Sequence, residues 1–213
     1  MRDKHFSIEH MISAEPVDYQ LAIHAMQERI VRIYNNELPS LLWFLEHPPL
    51  YTAGTSAKDS DLLSNCFPVY QAGRGGQYTY HGPGQLVIYC MVRLKEINVD
   101  VRQYVKILEH WILRVLETYG IKGALYPDRI GVWVKHPITQ KESKIAAIGI
   151  RVTKGVAWHG LSFNVNPDLS HFLGIIPCGI SNFGVTSLAE IGVANTLESV
   201  ICAFRATLPN EFT

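Results

Sequence analysis

The chain has 213 residues, of which 47% are hydrophobic and 18% are charged. This length predicts one domain over residues 1–213 with a core large enough to fold without a disulfide or a metal, and the composition excludes a disordered chain. Nineteen basic residues balance nineteen acidic ones, so the net charge gives no basis for binding nucleic acid or an anionic membrane.

Neither a membrane-spanning segment nor a signal peptide is predicted. No apolar stretch approaches the ~20 residues that a spanning helix needs. The beginning of the chain carries charges and histidines where a signal peptide has its apolar core. The cysteines lack any paired spacing, which fits reduced thiols, and we therefore expect a cytoplasmic protein.

The spacing of apolar residues predicts strands and helices that are interspersed along the chain. A strand at 6–12 precedes a helix at 16–36, and a second helix at 101–119 has Asp100 as its N-cap and Gly120 at its end. The other predicted elements are strands at 41–45, 68–71, 86–92, 131–134, 145–152 and 156–165, loops at 52–66 and 73–85, and a closing helix at 196–208. This order, without strict alternation, predicts an α+β fold with a mixed β-sheet flanked by helices.

The segment from Gly73 to Gln85 contains five glycines, a content that argues against a regular strand or helix. Glycine lets main-chain amides approach a ligand closely, and Arg74, Thr79 and His81 cluster among the glycines. The segment lacks the spacing of a Walker A loop or of a dinucleotide fingerprint. We interpret it as a ligand-binding loop, with a set of tight turns as the alternative.

The four cysteines have different expected environments. Cys90 lies in an apolar run and Cys202 in an amphipathic stretch, so both are predicted to be small buried hydrophobic residues. Cys66 is expected in a loop. Cys178 lies in a Pro-Cys-Gly sequence, where main-chain amides can be exposed, and it is the candidate reactive thiol.

Five motifs, in this order, resemble those of the bacterial lipoyl(octanoyl) transferases. They are RGGQYTYHGPGQLVIY at 74–89, GVWV at 131–134, KIAAIGIR at 144–151, HGLSFNV at 159–165 and PCGI at 177–180. The resemblance implies the fold of the biotin- and lipoate-protein ligase catalytic domains. It also implies transfer of an octanoyl group from octanoyl-acyl carrier protein to one lysine of a lipoyl domain. The implied acceptors are the lipoyl domains of 2-oxoacid dehydrogenase E2 subunits and the glycine-cleavage H protein.

The same resemblance assigns roles to individual residues. It implies that Cys178 is the acyl-thioester nucleophile and that Lys144 lowers its pKa or acts as a base. The residues that match the acyl-pocket segments of the family are Arg74, Gly75, Gly76, Gln77, Tyr78, Thr79, Tyr80, His81, Ala147, Ile148, Gly149, Gly160, Leu161 and Ser162. No cofactor is implied, because a cysteine thioester keeps the energy of the thioester donor.

An ordinary cysteine is only a few per cent thiolate at neutral pH, so a nucleophilic Cys178 needs help. Lys144 can supply it as a cation beside the thiolate or as a desolvated neutral base, and the sequence does not separate these roles. His81 and His159 are alternative bases. Together with Cys178 they are also an alternative zinc site, but no paired ligand spacing supports it and we expect no metal. We expect His81 and Arg74 to shape the loop and to polarise the acyl carbonyl.

Three further functions are compatible with parts of the pattern. They are an ATP-dependent lipoate or biotin ligase, a non-catalytic binder of lipoyl domains or acyl carriers, and a Cys–His hydrolase. The basic residues Lys141, Arg151 and Lys154 suggest a small docking surface for an acidic acyl carrier protein, with solvated strand ends as the alternative. No dimerisation pattern is visible, so a monomer is expected.

Overall fold

The computed structural model describes residues 8–176 and 184–213 of the chain. The strands in these ranges are β1 (Ile8–Ile12), β2 (Ser40–Leu45), β3 (Leu50–Ala53), β4 (Val69–Gln71), β5 (Tyr78–His81), β6 (Gln85–Arg93), β7 (Gly123–Tyr126), β8 (Arg129–Lys135), β9 (Glu142–Thr153), β10 (Val156–Asn164) and β11 (Gly184–Val185). The α-helices are α1 (Tyr19–Tyr34), α2 (Val101–Thr118) and α3 (Leu197–Ala206).

Two sheets organise the described residues. The larger one has the strand order β1-β2-β6-β10-β9-β8-β7, and β11 pairs with β9 outside this path. The pairs β1–β2 and β9–β11 are parallel, whereas the other pairs of this sheet are antiparallel. The smaller sheet has the order β4-β3-β5. This architecture confirms the predicted mixed sheet flanked by helices; the prediction of a single domain stays a prediction.

Helices cover both faces of the larger sheet. The apolar stripe of α1 packs on one face, in a core with Trp43, Tyr89 and Trp158. The helices α2 and α3 pack on the other face in the main core. The predicted start of α1 at residue 16 is too early, because the Asp18 side chain accepts from the amides of Gln20 and Leu21 and so caps the helix two residues later.

Two predicted loops contain strands. The strand β3 begins just before the loop expected at 52–66 and extends into it, and β5 lies inside the glycine-rich segment. The four residues of β5 contain no glycine, so the glycines flank this strand instead of interrupting it. Thr52 pairs with Thr79 across the two strands. Such pairing depends on segments far apart in the chain, which local composition does not reveal.

The described cysteines correct one prediction. Cys90 is fully buried, as expected, whereas Cys202 is exposed. In α3 the buried residues Val200, Ile201 and Phe204 form one face, which leaves Cys202 on the solvent side of the helix. Cys66 is exposed in a loop, and Cys178 lies outside the described residues.

None of the helices in the described ranges combines the length and the apolar character that a membrane crossing requires.

Candidate active site

A cavity of about 380 Å³ lies between the glycine-rich loop and the central strands of the larger sheet. The loop residues 74–79 form one wall, and the β9 and β10 residues 147–150 and 159–162 form the other. All of the predicted acyl-pocket residues except Tyr80 line this cavity, and so does Lys144. The fold therefore brings the glycine-rich motif at 74–89 together with the motifs at 144–151 and 159–165, which lie much later in the sequence.

Strand register places the small residues of β9 and β10 side by side in the cavity wall. Gly160 pairs with Gly149, and Ser162 pairs with Ala147. A Cβ atom at position 149 would lie 2.7 Å from Cδ of Arg74 and 3.1 Å from the carbonyl oxygen of Gly75. Glycine at this position lets the loop pack directly on the sheet, and the Gly75 amide donates to the Ile150 carbonyl at 3.0 Å.

Tyr80 is the predicted pocket residue that the structure does not bring to the cavity. Because side chains alternate along a strand, Thr79 and His81 face one side of β5 and Tyr80 faces the other. Its ring packs in a separate cluster with Tyr51 and Phe172, and its hydroxyl group hydrogen-bonds Nδ1 of His171 at 2.8 Å. Tyr80 therefore lies outside the residues that line this cavity, because the resemblance covered the whole segment and not its alternating faces, and its role in substrate binding stays a prediction.

Arg74 ties the glycine-rich loop to the smaller sheet. Its guanidinium group donates to the carbonyl and hydroxyl oxygens of Thr52, at 3.0 and 2.6 Å. It also donates to the carbonyl oxygens of Gly75 and Gln77, at 3.0 and 3.1 Å. These bonds shape the loop around a permanent positive charge at the cavity wall.

His81 is held in one tautomer by a chain of buried amides. Gln85 donates through Nε2 to Oδ1 of Asn164 at 3.0 Å, so its Oε1 atom is left to accept from Nδ1 of His81 at 2.7 Å. Burial, followed by the neighbouring His47 and Arg74, lowers the pKa of His81 to about 3. The imidazole is therefore neutral at pH 7, with the lone pair on Nε2.

Two further buried histidines lie at the cavity: His159 lines it, and His47 contacts the ring of Tyr89, which also lines it. Burial lowers the pKa of His47 to about 4, and Nε2 of His47 lies 2.7 Å from the Tyr89 hydroxyl. Burial and then the charge of Arg74 lower the pKa of His159 to about 3. Such weakly basic imidazoles are poorly matched to removing a thiol proton near neutral pH. Within residues 8–176 and 184–213, no three His, Cys, Asp or Glu side chains are grouped to hold a metal.

We expect the free energy of unfolding to decrease when the pH falls below about 6.5. The folded-state pKa values of His47, His81 and His159 are below the ordinary 6.5, so the unfolded chain binds protons that the folded chain does not. The contribution of these histidines to the free energy of unfolding is complete above pH 6.5 and is lost on acidification toward pH 3–4. Between pH 6.5 and 5.5, each histidine is expected to lower the free energy of unfolding by about 1 kcal/mol. Urea unfolding at these pH values measures it.

In the same experiment, His81→Gln should remove about a third of this pH dependence. His110→Gln, at an exposed position of α2, should leave it unchanged. A native free energy of unfolding that is constant from pH 7 to 5.5 would contradict the assignment of buried neutral histidines.

Lys144 enters the cavity from near the start of β9. Its side chain is buried, with 6% exposure. The ammonium group donates to the Ile130 carbonyl at 2.9 Å and lies 4.8 Å from the ring centre of Trp133. Both contacts come from β8, whose register with β9 shifts between Val132 and Trp133. These contacts hold the ammonium group at the cavity wall.

Gly131 makes room for this lysine. Its φ of +116° lies where glycine is favoured, and a Cβ atom would approach the Ala146 carbonyl oxygen to 2.6 Å and Cε of Lys144 to 3.3 Å. We expect Gly131→Ala to lower the free energy of unfolding by about 2 kcal/mol more than Gly155→Ala does. Gly155 also has a positive φ, of +76°, but has no atom within 4 Å of an added Cβ. Equal losses in urea unfolding would contradict this account.

Cys178 lies outside the described residues, but the chain on either side of it is described. On one side, the Ile176 amide donates to the Asp61 carbonyl at 2.8 Å. On the other, Val185 of β11 pairs with Lys144 of β9, and the Thr186 amide donates to the Lys144 carbonyl at 3.0 Å. The chain therefore returns from the undescribed segment directly beside Lys144.

The predicted basic docking surface is wrong as a single surface. Lys141 immediately precedes β9 and Lys154 immediately follows it, so about 40 Å of strand separates them. Arg151 lies toward the far end of β9, over the ring of Trp158 at 5.3 Å, and Lys154 lies over Tyr34 at 5.1 Å. Proximity in the sequence was misleading because an extended strand carries its two ends far apart.

Sequence reasoning did not find Tyr19, His47 or Tyr89 as residues of the site. Tyr19 and Tyr89 line the cavity, and His47 contacts both of their rings. These residues come from α1, the loop after β2 and the middle of β6, and no shared motif connects them. Only the packing of α1 against the sheet brings them together.

Two solved structures with the same fold are ligases. A bi-partite lipoate protein ligase from Thermoplasma acidophilum matches with a TM-score of 0.71 and 14% identity, covering 95% of this chain and 82% of the other. Biotin protein ligase from Aquifex aeolicus, in complex with biotin and ATP, matches with a TM-score of 0.56 and 16% identity, covering 95% and 68%. At these identities the likeness establishes the fold alone.

Relatives in sequence are much more similar. Residues 18–208 match the family described as Lipoyl protein ligase A/B catalytic domain. The Octanoyltransferase of Paramagnetospirillum magneticum is 52% identical over 208 residues, covering 97% of this chain and 98% of the relative. The Octanoyltransferase of Wolbachia pipientis wMel is 50% identical over 186 residues, covering 87% and 90%. The chain belongs to the lipoyl protein ligase A/B catalytic domain family and, within it, to the octanoyltransferases.

Proposed function

We propose that this octanoyltransferase takes an octanoyl group from octanoyl-acyl carrier protein and passes it, through a thioester on Cys178, to one lysine of a lipoyl domain. The acceptors are the lipoyl domains of 2-oxoacid dehydrogenase E2 subunits and the glycine-cleavage H protein. The observation that carries the proposal is the position of Lys144. It lines the cavity that the acyl-pocket motifs surround and lies beside the strand that follows Cys178.

The cavity wall supports an acyl substrate. The side chains of Val87, Ile148 and Leu161 and the small residue Ala147 contribute apolar surface, which favours a hydrocarbon chain over water. The neighbouring His81 is neutral at pH 7 because burial lowers its pKa. An octanoyl chain therefore meets a wall without a charged imidazole.

Both described ends of the segment that carries Cys178 support its assignment as the nucleophile. Val185, after the segment, pairs with Lys144. Phe172, before the segment, lines a small cavity together with Lys144, Thr79 and Ser162. Because the chain returns beside Lys144 after the segment, and lines a small cavity with Lys144 shortly before it, the lysine is a suitable partner for the thiol of Cys178.

The first half-reaction forms the acyl-enzyme. The Cys178 thiolate attacks the thioester carbonyl, the bond to the carrier's sulfur breaks, and the carrier leaves as a thiol after taking up a proton. Lys144 assists either by stabilising the thiolate as a cation or by accepting the thiol proton as a neutral amine. One thioester replaces another, so this step needs no nucleotide.

The second half-reaction transfers the acyl group to the acceptor. The acceptor lysine attacks as a neutral amine, an amide bond forms, and the bond to the sulfur of Cys178 breaks. The attacking nitrogen loses a proton, which returns the cysteine to its thiol form, and Lys144 is placed to relay it. The amide product is more stable than the thioester, which makes the step favourable.

Transfer without ATP tests the proposal. The purified chain is mixed with octanoyl-acyl carrier protein and a lipoyl domain, and the intact mass of the lipoyl domain is followed. We expect one octanoyl group per lipoyl domain without ATP and none from octanoate plus ATP. Transfer only from octanoate plus ATP would indicate a ligase, release of free octanoate would indicate a hydrolase, and binding without turnover would indicate a non-catalytic binder. The monomeric state and the cytoplasmic location stay predictions.

A further inference from the structure

Buried polar atoms without a hydrogen-bond partner in the described part of the chain include the hydroxyl oxygen of Tyr19, Nε2 of His159 and Oε1 of Gln77, whose residues all line the cavity. Tyr19 is 3% exposed and His159 is 2% exposed, and both residues line the cavity. Because a buried polar group without a partner is costly, these atoms indicate that the cavity binds a group able to hydrogen-bond them.

The backbone of β10 turns the His159 side chain toward the cavity. Trp158 packs on the α1 side of the sheet, and Ala157 and Leu161 pack on the α2 side, so simple alternation would send residue 159 to the α2 side. Instead, His159 has a φ of +60°, and its ring stacks on Trp158 with 4.4 Å between ring centres. Left-handed backbone at a residue other than glycine is strained, and such strain concentrates at functional sites.

The protonation of the two side chains defines their partner. The ring of His159 hydrogen-bonds the main chain of Ala72. Since Nε2 is the nitrogen without a described partner, Nδ1 carries the proton and Nε2 is an acceptor. Burial raises the pKa of Tyr19 to about 12, so its hydroxyl group stays protonated and can donate. One donor and one acceptor match a neutral hydroxyl group, whereas a carboxylate has no proton for Nε2.

The position of this pair suits the far end of a medium-length acyl chain. Ile150 pairs with His159 and lies six residues beyond Lys144 on β9, which corresponds to about 20 Å. An extended eight-carbon chain spans about 9 Å, given carbon–carbon bonds of about 1.5 Å. The Lys144 and His159 side chains have to reach toward each other over the remaining distance of about 11 Å. An octanoyl group with its carbonyl near Lys144 and its chain extended along β9 directs its methyl end toward Tyr19 and His159, which line the same cavity.

We propose that Tyr19 and His159 form a subsite for one neutral hydroxyl group at the inner end of the acyl cavity. The inference rests on the proposed function. When an octanoyl chain is bound, a water molecule beyond its methyl end makes the hydrogen bonds to Tyr19 and His159. With a chain that ends in a hydroxyl group, the substrate's own oxygen occupies the subsite. The enzyme therefore accepts 8-hydroxyoctanoyl groups and disfavours longer alkyl chains, which displace the water without replacing its hydrogen bonds.

The ratio of kcat/KM for 8-hydroxyoctanoyl and octanoyl thioesters of the same carrier tests this proposal. In the native chain we expect the two values to agree within about threefold, because the hydroxyl group replaces a water. Without the subsite, burying the hydroxyl group lowers the ratio by about thirtyfold or more. Tyr19→Phe is expected to lower the native ratio about tenfold. Tyr34→Phe, at an exposed position of the same helix, is the matched control and should leave the ratio unchanged.

A native ratio lowered by thirtyfold or more, or a ratio that Tyr19→Phe does not change, would overturn the subsite. Calorimetric binding of free octanoate and 8-hydroxyoctanoate compares the same two chains without a transfer step. Failure of the proposed function, seen as no octanoyl transfer, is therefore distinguishable from failure of the subsite. Crystal structures with each acid separate the two sources of the hydroxyl group. Water between Tyr19 and His159 is expected with octanoate, and the ligand's terminal oxygen with 8-hydroxyoctanoate.

Discussion

Replacing Cys178 by alanine is expected to lower the rate of octanoyl transfer to the lipoyl domain by about 10⁴-fold or more, the scale of losing a catalytic nucleophile. Without the thiol, no acyl-enzyme forms, and the acceptor lysine has only the carrier-bound thioester to attack. The rate is measured with octanoyl-acyl carrier protein as donor. Binding of the donor should change little, because most of the acyl chain's contacts lie along the cavity wall.

The matched control is Cys202→Ala, which removes an exposed thiol from α3 and should transfer at the native rate. A Cys178→Ala variant that retains more than about a tenth of the native rate would exclude a cysteine thioester on the main route. Direct transfer from the carrier to the acceptor would then replace the two-step scheme.

Replacing Lys144 by methionine is expected to lower the transfer rate by about 10²- to 10⁴-fold, the range of a general acid–base group. Methionine keeps most of the length and volume of the side chain but loses the ammonium group that now donates to the Ile130 carbonyl. In the proposed mechanism, the thiol of Cys178 then loses the group that assists it as a cation or as a base. Lys106→Met, at an exposed position of α2, is the control and should leave the transfer rate unchanged.

Lys144→Arg separates the two possible roles of the lysine. Arginine keeps a positive charge but is not deprotonated in proteins. Acyl-enzyme formation that survives in this variant, with slow discharge onto the acceptor, indicates a cation in the first step and a proton relay in the second. Loss of both steps indicates a base throughout. If Lys144→Met transfers at the native rate, Lys144 has no part in the chemistry.

Elements with strong local signals were predictable from the sequence. The helix predicted at 101–119 is found at Val101–Thr118, where Asp100 and Gln103 form a capping box. The closing helix predicted at 196–208 is found at Leu197–Ala206, capped by Thr196. In both, the cap and the apolar stripe lie within the element itself, so the local sequence carries the information.

Features that depend on packing between distant segments were not predictable. The strand β5 forms because it pairs with β3, and neighbouring glycines hid its regular backbone. The position of Lys144 against Trp133 depends on a register shift between β8 and β9. The turn of His159 into the cavity requires a positive φ that nothing in its local sequence demands.

In the candidate site, too, the continuous sequence segments were predictable, whereas the features that depend on packing were not. The motif resemblance identified the segments that surround the cavity, because those segments are continuous in the sequence. It did not separate the alternating faces of β5, so Tyr80 was included with Thr79 although its ring packs elsewhere. It also missed Tyr19, which reaches the cavity only through the packing of α1.

The most direct test of the proposed mechanism is the intact mass of the chain after mixing with octanoyl-acyl carrier protein in the absence of acceptor. We expect one added octanoyl group, mapped to Cys178 by peptide sequencing, absent from Cys178→Ala, and discharged when a lipoyl domain is added. Octanoylated lipoyl domain formed at the native rate with no adduct on the chain, or an adduct that maps to another residue, would contradict it.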